Sequence, residues 1–359
     1  MLASVTALLG LGAVMIFSAT SRGDGPLISI IFIKQMLYVA VGVAAALYVA
    51  GKDYHVAIRG KYLILGAAAA LLILVLIPHV GHSVNGAARW IRIGPISFQP
   101  SEMGKLAVII FLAGFLGERQ DKIRSLNSTL VIAMLSVGFI SVLIFREPDL
   151  GTTALVCAVT WIILFVAGAY LPYLIAPAVA AIPVVVLLVK DKDYVIRRLI
   201  AFWDPWKDAQ GAGYHIIQSL TAVGSGGIRG VGLGRSTQKL SFLPESSSDF
   251  IFAILAEELG LIGGTLVVAA YIALIWAGVS IARRAKDIEG CLLATGITAM
   301  IALQAMINIG VVTKALPTKG ITLPFVSAGG SSVVFTLISI GILYSISRFS
   351  HQPDAALQE

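Results

Sequence analysis

The sequence has few charged residues. Asp, Glu, Lys and Arg make up 13% of its 359 residues, against about 25% in typical soluble domains, while hydrophobic residues make up 58%. This balance excludes an ordinary soluble enzyme. Apolar runs recur along the whole chain, and about 20 such residues cross a bilayer once. The runs are continuous and lack the period-two alternation of a membrane barrel, so we predict an all-α polytopic membrane protein.

Cysteine is also scarce. Only Cys157 and Cys291 occur, both inside apolar runs, which excludes a disulfide framework. No cluster of His, Cys, Asp and Glu has metal-ligand spacing, and the glycine-rich run 224–234 does not match a nucleotide-binding fingerprint. The net charge of +7 comes from basic residues scattered over loops. It indicates membrane lipids or an anionic lipid-linked substrate as partners rather than nucleic acid.

The apolar runs predict about ten transmembrane helices in a single integral membrane domain, residues 1–359. The first run has no basic region or convincing cleavage site before it, so we expect it to be retained. The predicted spans are 2–20, 27–51, 61–79, 101–117, 128–145, 150–168, 172–190, 249–281, 289–312 and 330–347.

Basic residues set the predicted topology. Short loops on one side of the membrane carry ten Lys and Arg residues and those on the other side carry six, which assigns both termini to the cytoplasm. The large loop between the seventh and eighth helices, about 191–248, is then extracytoplasmic. It faces two shorter polar loops, 80–100 and 313–329, and together they form the predicted working surface.

Polar motifs follow one another in a fixed order along the chain. They are Asn85–Ile91, Phe98–Glu102 with Lys105, Glu147–Thr152, Gln210–Ser219 with Gly224–Gly234, Leu243–Gly260, and Gly320–Ser332. In their residues and their order they closely resemble the SEDS family of bacterial cell-wall proteins, typified by RodA of elongation and FtsW of division. The chain departs from the family pattern at Ser247-Ser248, where the family has His-Thr, and at Ala328, where it has Tyr. Substrate contacts are expected to differ there.

The resemblance implies an enzyme of the bacterial inner membrane, a peptidoglycan glycosyltransferase that polymerises lipid II, the undecaprenyl-pyrophosphate-linked disaccharide-pentapeptide. It also implies a partner, a class B penicillin-binding protein that acts as transpeptidase. The short termini favour the elongation, or RodA, type, whereas the sequence of residues 231–241 favours the division type. We expect the elongation type. The alternatives are a lipid II flippase and a non-catalytic scaffold. Polar residues concentrated on the outer side favour the enzyme.

Asp249 is the candidate catalytic residue. Sugar transfer from a lipid pyrophosphate to a sugar hydroxyl needs a base for the hydroxyl proton, and a partly desolvated carboxylate at the outer membrane boundary suits that role. The alternative is a helix cap, because Ser246-x-x-Asp249 also resembles a capping box and an acid there favours the helix dipole. With the family resemblance, we favour the base.

Other polar residues are candidates for substrate binding. Glu102 and Lys105 lie three apart, hence on one helix face, where they form either a polar wall of the substrate cavity or a structural ion pair. Outer-side cations able to bind diphosphate include Arg89, Arg92, Arg198 and Lys239.

Three further residues are expected to have structural roles. Asp149 is expected to cap a helix, His215 to be a satisfied loop histidine, and Glu258 or its neighbour to pair with a cation. No cofactor or metal is implied by the residues themselves. A divalent cation, Mg²⁺ or Mn²⁺, held by the substrate pyrophosphate remains open.

Overall fold

The structure is a computed structural model that describes residues 1–21, 29–78, 80–84, 87–94, 96–123, 128–190, 193–240 and 242–350. The Asn85 end of the first motif and the tail His351–Glu359 lie outside these residues. The α-helices are α1 Leu2–Thr20, α2 Ile30–Gly51, α3 His55–Arg59, α4 Lys61–Leu76, α5 Pro100–Gly117, α6 Ser128–Arg146, α7 Leu150–Val166, α8 Leu171–Val189, α9 Asp193–Trp203, α10 Tyr214–Gly226, α11 Ile251–Arg284, α12 Ile288–Val312 and α13 Gly330–Ser350. The strands are β1 Gly81–Val84, β2 Ala87–Ile93 and β3 Ile96–Phe98, and 3₁₀ helices cover Gln120–Lys122 and Pro205–Asp208.

The apolar helices match the predicted spans. Within the described residues, seven helices are long and apolar enough to cross a membrane: α1, α2, α5, α6, α11, α12 and α13. Helices α4 and α7 are apolar but shorter, and α8 has 19 residues without a charge. Each of these ten helices begins and ends within a few residues of a predicted span, so the prediction of an all-α polytopic membrane protein is confirmed.

The chain divides into two compact units that interleave in sequence. The first comprises Met1–Leu37, Ala176–Leu274 and Ala302–Gly329; the second comprises Tyr38–Ile175, Ile275–Ile301 and Gly330–Glu359.

Helix α5 is the centre of the second unit. It is buried along almost its whole length and packs against α4, α6, α7 and α13. Small residues permit this close packing: a Cβ added to Gly114 would lie 2.7 Å from the Ile58 side chain. A helix surrounded on all sides can hold polar groups only if they pair, which bears on Glu102 and Lys105.

The second unit also contains a small antiparallel sheet in the order β1-β2-β3. Residues 80–100 were expected to be a polar loop, and this expectation was wrong. Gly81 pairs with Ile91, which pairs in turn with Phe98. The Tyr38 hydroxyl donates to the Ser97 carbonyl at 3.1 Å and accepts from its N–H at 3.0 Å, which ties the sheet to α2.

In the first unit, helix α11 is broken at Gly260, whose φ is +67° and ψ −165°. The break leaves backbone groups without helical partners, and the loop after α10 supplies them. Val231 and Gly232 donate their N–H groups to the carbonyls of residues 257 and 258, each at 3.0 Å. In return, the N–H groups of Leu261 and Ile262 bond to the carbonyls of residues 227 and 228. Backbone near a bilayer tolerates such irregularity only when protein groups satisfy it.

The large outer segment contains more regular structure than the sequence predicted. Within 191–248, α9, the 3₁₀ helix and α10 fill much of the segment that was expected to be loop. The apolar residues of α9 follow a helical period, but the helix has only 11 residues, and the turns and glycines after it made the whole polar stretch resemble a loop. Much of the predicted loop is therefore a helical scaffold for the glycine-rich run that follows it.

Gly230 and Gly260 should be irreplaceable at the break. A Cβ at Gly260 would lie 2.3 Å from the Gly230 nitrogen, and a Cβ at Gly230 would lie 2.1 Å from the Glu258 carbonyl oxygen. Both also have positive φ, which costs other residues on the order of 1–3 kcal/mol. We expect Gly260→Ala to lower the thermal unfolding temperature clearly in detergent. Gly66→Ala, where a Cβ meets nothing within 4 Å, is the control and should leave it unchanged or raise it. Equal stability of the two variants would contradict the packing described here.

Candidate functional site

Asp249 lies in the turn that leads into α11, and hydrogen bonds from two other segments fix that turn. The Asn308 amide in α12 donates to the Asp249 carbonyl at 2.8 Å and to the Ile321 carbonyl at 2.7 Å. The Ser327 hydroxyl donates to the Ser248 carbonyl at 2.6 Å. The backbone of Asp249 is therefore held between α12 and the segment 313–329, while its side chain is half-buried.

The carboxylate of Asp249 lies against Gly320. A Cβ added to Gly320 would come within 2.7 Å of Asp249 Oδ2, so an alanine there would displace the carboxylate from its present position. Two motifs that are 71 positions apart in the chain thus meet at one point, as the predicted facing of the outer loops requires. The position is suited to a reacting carboxylate because the backbone around it is fixed.

The two departures from the family pattern are neighbours in space. The Ala328 N–H donates to the Ser247 carbonyl at 2.8 Å, one residue away from the bond between Ser327 and Ser248. Both departures replace a bulky side chain with a small one. They therefore alter a single region, beside Asp249.

His215 belongs to the same neighbourhood. It lies at the start of α10 and stacks on Phe250, the residue after Asp249, with ring centroids 5.7 Å apart and planes 9° apart. Burial lowers the pKa of His215 and the nearby Arg198 lowers it further, whereas Glu245 opposes both. Its Nδ1 is buried and has no hydrogen-bond partner among the described residues, so the expectation of a satisfied histidine was wrong.

Lys239 lies in a buried network on the broken helix. Its ammonium donates to Glu258 at 3.2 Å, to Ser18 at 3.2 Å and to the Gly234 carbonyl at 2.8 Å. These bonds use all three of its N–H donors. Lys239 was predicted to be an outer cation available to diphosphate, and the structure corrects this: it neutralises a buried carboxylate. Ser18 also donates to both Glu258 oxygens, at 2.6 and 2.7 Å.

Glu257 completes the network by holding the loop. It accepts from the Thr237 N–H at 2.9 Å and from the hydroxyls of Thr237 and Ser236. The two adjacent carboxylates thus bind one short segment, 234–239, and fix the glycine-rich loop that repairs the helix break. The pairing of Glu258 with a cation was predicted, although the cation comes from a loop.

Glu102 and Lys105 form the ion pair that their spacing allowed. The Lys105 ammonium lies 2.9 Å from Glu102 Oε1, and both side chains are buried in the first turns of α5. Among the described residues, the Lys105 ammonium donates its hydrogen bond to Glu102. The pair lies in the second unit, and whether it binds substrate stays a prediction.

Arg89 also lies in the second unit, where it holds the turn between α6 and α7. Its Nε donates to the Glu147 carbonyl at 2.9 Å, a terminal nitrogen donates to the Pro148 carbonyl, and another lies 3.9 Å from Asp149. Asp149 caps α7 by accepting from the Thr152 N–H at 3.0 Å, as predicted. Arg92 is exposed on β2. Their predicted binding of diphosphate stays a prediction.

Glu147 was not singled out by the sequence analysis. Its side chain is fully buried, and neither carboxylate oxygen has a hydrogen-bond partner among the described residues. Burial and the neighbouring Asp149 raise the pKa of Glu147 to about 8, and Arg89 opposes them. The sequence signal for the raised pKa of Glu147 is the order Glu-Pro-Asp, because two acids so close in sequence disfavour joint ionisation.

In the described ranges, no group of three or more His, Cys, Asp or Glu residues is placed to hold a metal ion. A divalent cation that arrives with a pyrophosphate would need fewer protein ligands, and its involvement stays a prediction.

Glu147 should make stability fall as pH rises. Below its ordinary pKa, the carboxyl is protonated in the folded and unfolded chains alike. Between about pH 5 and 8 the unfolded chain loses the proton while the folded chain retains it, so stability falls by up to about 1.4 kcal/mol per pH unit. We expect Glu147→Gln to remove this slope in unfolding measured from pH 5 to 9, while Asp121→Asn, at an exposed site, retains it. A wild-type slope equal to that of Glu147→Gln would contradict the assignment.

Comparison with known proteins identifies the family. The model of the cell cycle protein family FtsW/RodA/SpoVE matches residues 1–352. Stage V sporulation protein E of Bacillus subtilis is 44% identical over 349 residues, covering 96% of this chain and 94% of that protein. The probable peptidoglycan glycosyltransferase FtsW of Trichlorobacter lovleyi is 40% identical, with 97% and 92% covered.

Solved structures agree with the sequence comparison. A chain from work on structural coordination of polymerization and crosslinking by a peptidoglycan synthase complex superposes with a TM-score of 0.81 at 26% identity, covering 98% of both chains. The rod shape determining protein RodA of Thermus thermophilus gives 0.72 at 25% identity, with 98% and 97% covered. With such matches over nearly its whole length, the chain belongs to the FtsW/RodA/SpoVE family, the SEDS family that its ordered motifs predicted.

Proposed function

We propose that the chain is a peptidoglycan glycosyltransferase that joins lipid II into glycan strands, with Asp249 as general base. The observation that carries the proposal is the placement of Asp249: a half-buried carboxylate against Gly320, on backbone held by Asn308. A carboxylate in a fixed position can accept a proton from a bound hydroxyl without reorganising. Relatives named as probable peptidoglycan glycosyltransferases support the reaction class.

In the proposed reaction, the 4-hydroxyl oxygen of the acceptor sugar attacks the anomeric carbon of the donor sugar. Asp249 takes the hydroxyl proton as the new glycosidic bond forms. The bond between the anomeric carbon and the pyrophosphate oxygen breaks, and its electron pair leaves with the undecaprenyl pyrophosphate. Helix α11 starts two residues after Asp249, and a helix N-terminus favours the ionised carboxylate, which is the form that accepts a proton.

The leaving pyrophosphate needs positive charge. Arg198, Arg92 and Lys105 are the proposed sources, and a divalent cation that accompanies the pyrophosphate is a further one. Arg198 belongs to the first unit, near His215 and hence near the turn of Asp249. Arg92 and Lys105 belong to the second unit. Arg89 is a weaker candidate, because its guanidinium already holds the Glu147 turn.

Sequence identity favours the division or sporulation type. The elongation type was expected, but the relatives at 44% and 40% identity are named stage V sporulation protein E and FtsW, whereas the RodA structure is 25% identical. We therefore propose a synthase of septal or spore peptidoglycan. Both termini are proposed to lie in the cytoplasm, on the charge distribution of the short loops.

A transpeptidase of the class B penicillin-binding type is the proposed partner. A similar chain comes from a complex that couples polymerization with crosslinking, and the two chains align over 98% of their lengths. The shared fold over the whole chain supports such a partner here.

Asp249→Asn should abolish polymerisation. The amide cannot accept the proton, and loss of a general base costs roughly 10²–10⁴-fold in rate. The measurement is glycan-strand length and rate from labelled lipid II, with the purified chain and its candidate transpeptidase in one bilayer. Asp121→Asn, in the exposed turn Gln120–Lys122, is the matched control and should retain full activity.

Two results bound the interpretation of this experiment. Near-wild-type rates for a folded Asp249→Asn protein would exclude Asp249 as the base. Movement of lipid II between leaflets without strands, in wild type and variant alike, would favour the flippase over the enzyme.

The Glu102–Lys105 pair can be tested as a substrate contact. Lys105→Met leaves Glu102 buried and unpaired, which on its own destabilises the helix. The double variant Glu102→Gln with Lys105→Met removes both charges and should recover folding. If Lys105 binds pyrophosphate, the double variant folds but shows a KM for lipid II at least several-fold above wild type. Arg283→Ala, exposed near the end of α11, is the control. A double variant with wild-type KM would make the pair structural only.

A further inference from the structure

Helix α9 exposes its apolar face. Ile196, Leu199, Ile200 and Trp203 follow the spacing i, i+3, i+4 and i+7 and so form one stripe, and their exposed fractions are 39, 46, 49 and 81%. Ala201, on the opposite side of the helix, is 1% exposed. An amphipathic helix on a water-soluble scaffold turns its apolar stripe inward, whereas α9 turns it outward. A stripe of this kind indicates that something covers it.

The next turn extends the same exposed surface. Trp206 in the 3₁₀ helix Pro205–Asp208 is 73% exposed, and Lys207 beside it is exposed as well. Arg197 projects from α9 about a quarter turn away from the stripe and is also exposed. The segment thus offers aliphatic and indole side chains beside the cations Arg197 and Lys207, and Asp204 and Asp208 balance that charge in the same turn. Helices that lie in the headgroup region of a bilayer have this composition.

The position of α9 in the chain brings it to the membrane surface. Helix α8 is 19 residues long, has no charged residue and ends at Val189, and α9 begins at Asp193. Four residue steps span at most about 14 Å even when fully extended. The interfacial layer on each side of the hydrocarbon core is roughly 5–8 Å thick. The start of α9 is therefore confined to the vicinity of the bilayer surface by its link to α8.

We propose that α9 and the 3₁₀ turn after it form an interfacial anchor that lies along the outer leaflet. The stripe from Ile196 to Trp203 inserts among phospholipid chains, and Arg197 and Lys207 contact phosphate groups. The exposed apolar stripe and the short link to α8, which keeps the helix near the membrane, favour lipid as the occupant. The proposal does not depend on the enzymatic activity.

The anchor would also set the height of the candidate site. The 3₁₀ turn leads into α10, where His215 stacks on the residue after Asp249. The connection is tightly packed at Gly213, because a Cβ there would lie 2.0 Å from the Pro205 carbonyl oxygen. A rigid link from lipid-bound helix to Asp249 would hold the carboxylate at a fixed depth near the headgroups. This consequence alone rests on the proposed function.

Spin labels measure the depth of α9 directly. In a background with Cys157 and Cys291 replaced by Ser, single cysteines at Ile200 and Arg197 receive a nitroxide. The full-length protein is placed in vesicles of equal parts phosphatidylglycerol and phosphatidylcholine. Collision rates with oxygen, which partitions into lipid, and with a water-soluble nickel chelate are then compared. Because the readout is collision and not catalysis, an inactive protein still gives an answer.

We expect the label at Ile200→Cys to have an oxygen-to-nickel collision ratio several-fold above that at Arg197→Cys. The label at Leu199→Cys, on the same stripe, should repeat the result if the first variant fails to fold. High nickel accessibility on the stripe would place it in water and overturn the proposal. Low accessibility to both agents would mean that protein covers the stripe, which would also overturn it.

Discussion

The hydrogen bonds between the broken helix α11 and the loop 227–232 are the interaction on which the first unit depends. Breaking a helix close to lipid exposes N–H and C=O groups that water cannot reach, and each unsatisfied group costs several kcal/mol. The loop satisfies them, and Gly230 and Gly260 permit the close contact. The buried pair of Glu258 with Lys239 then holds the loop in place. The glycine-rich run therefore supplies the backbone hydrogen bonds that α11 lacks at its break, and this structural role explains its glycines without a bound phosphate.

The hydrogen bonds between this loop and α11 also help to fix the position of Asp249 before the start of α11. The helix begins at Ile251, two residues after Asp249, and its first turns are fixed by the network around Glu257 and Glu258. Asn308 fixes the same turn from α12. The backbone of Asp249 is thus anchored from two directions, which is the fixed position that the proposed general-base role requires.

The sequence predicted the spans well because continuous apolar runs carry a strong signal, as in α1, whose observed bounds equal the predicted ones. It singled out Asp249 through its motif, and the catalytic role of Asp249 stays a proposal. The sequence did not predict the sheet β1-β2-β3, because short strands depend on tertiary contacts such as that of Tyr38 with Ser97. It did not predict α9 because the polar stretch that contains this short helix was interpreted as a loop. Nor could it show that Lys239 is buried, since a lysine in a polar loop looks like a surface charge until its partner Glu258 is located in three dimensions.

The proposed chemistry makes bonds between sugars, whereas a flippase only moves lipid. The release of undecaprenyl pyrophosphate from lipid II by the wild-type chain and its candidate transpeptidase in vesicles, counted against new glycosidic linkages, separates the two. Catalysis by the chain predicts one released pyrophosphate carrier for each linkage formed. Redistribution of intact lipid II across the bilayer, with no carrier released from a folded complex, would contradict it.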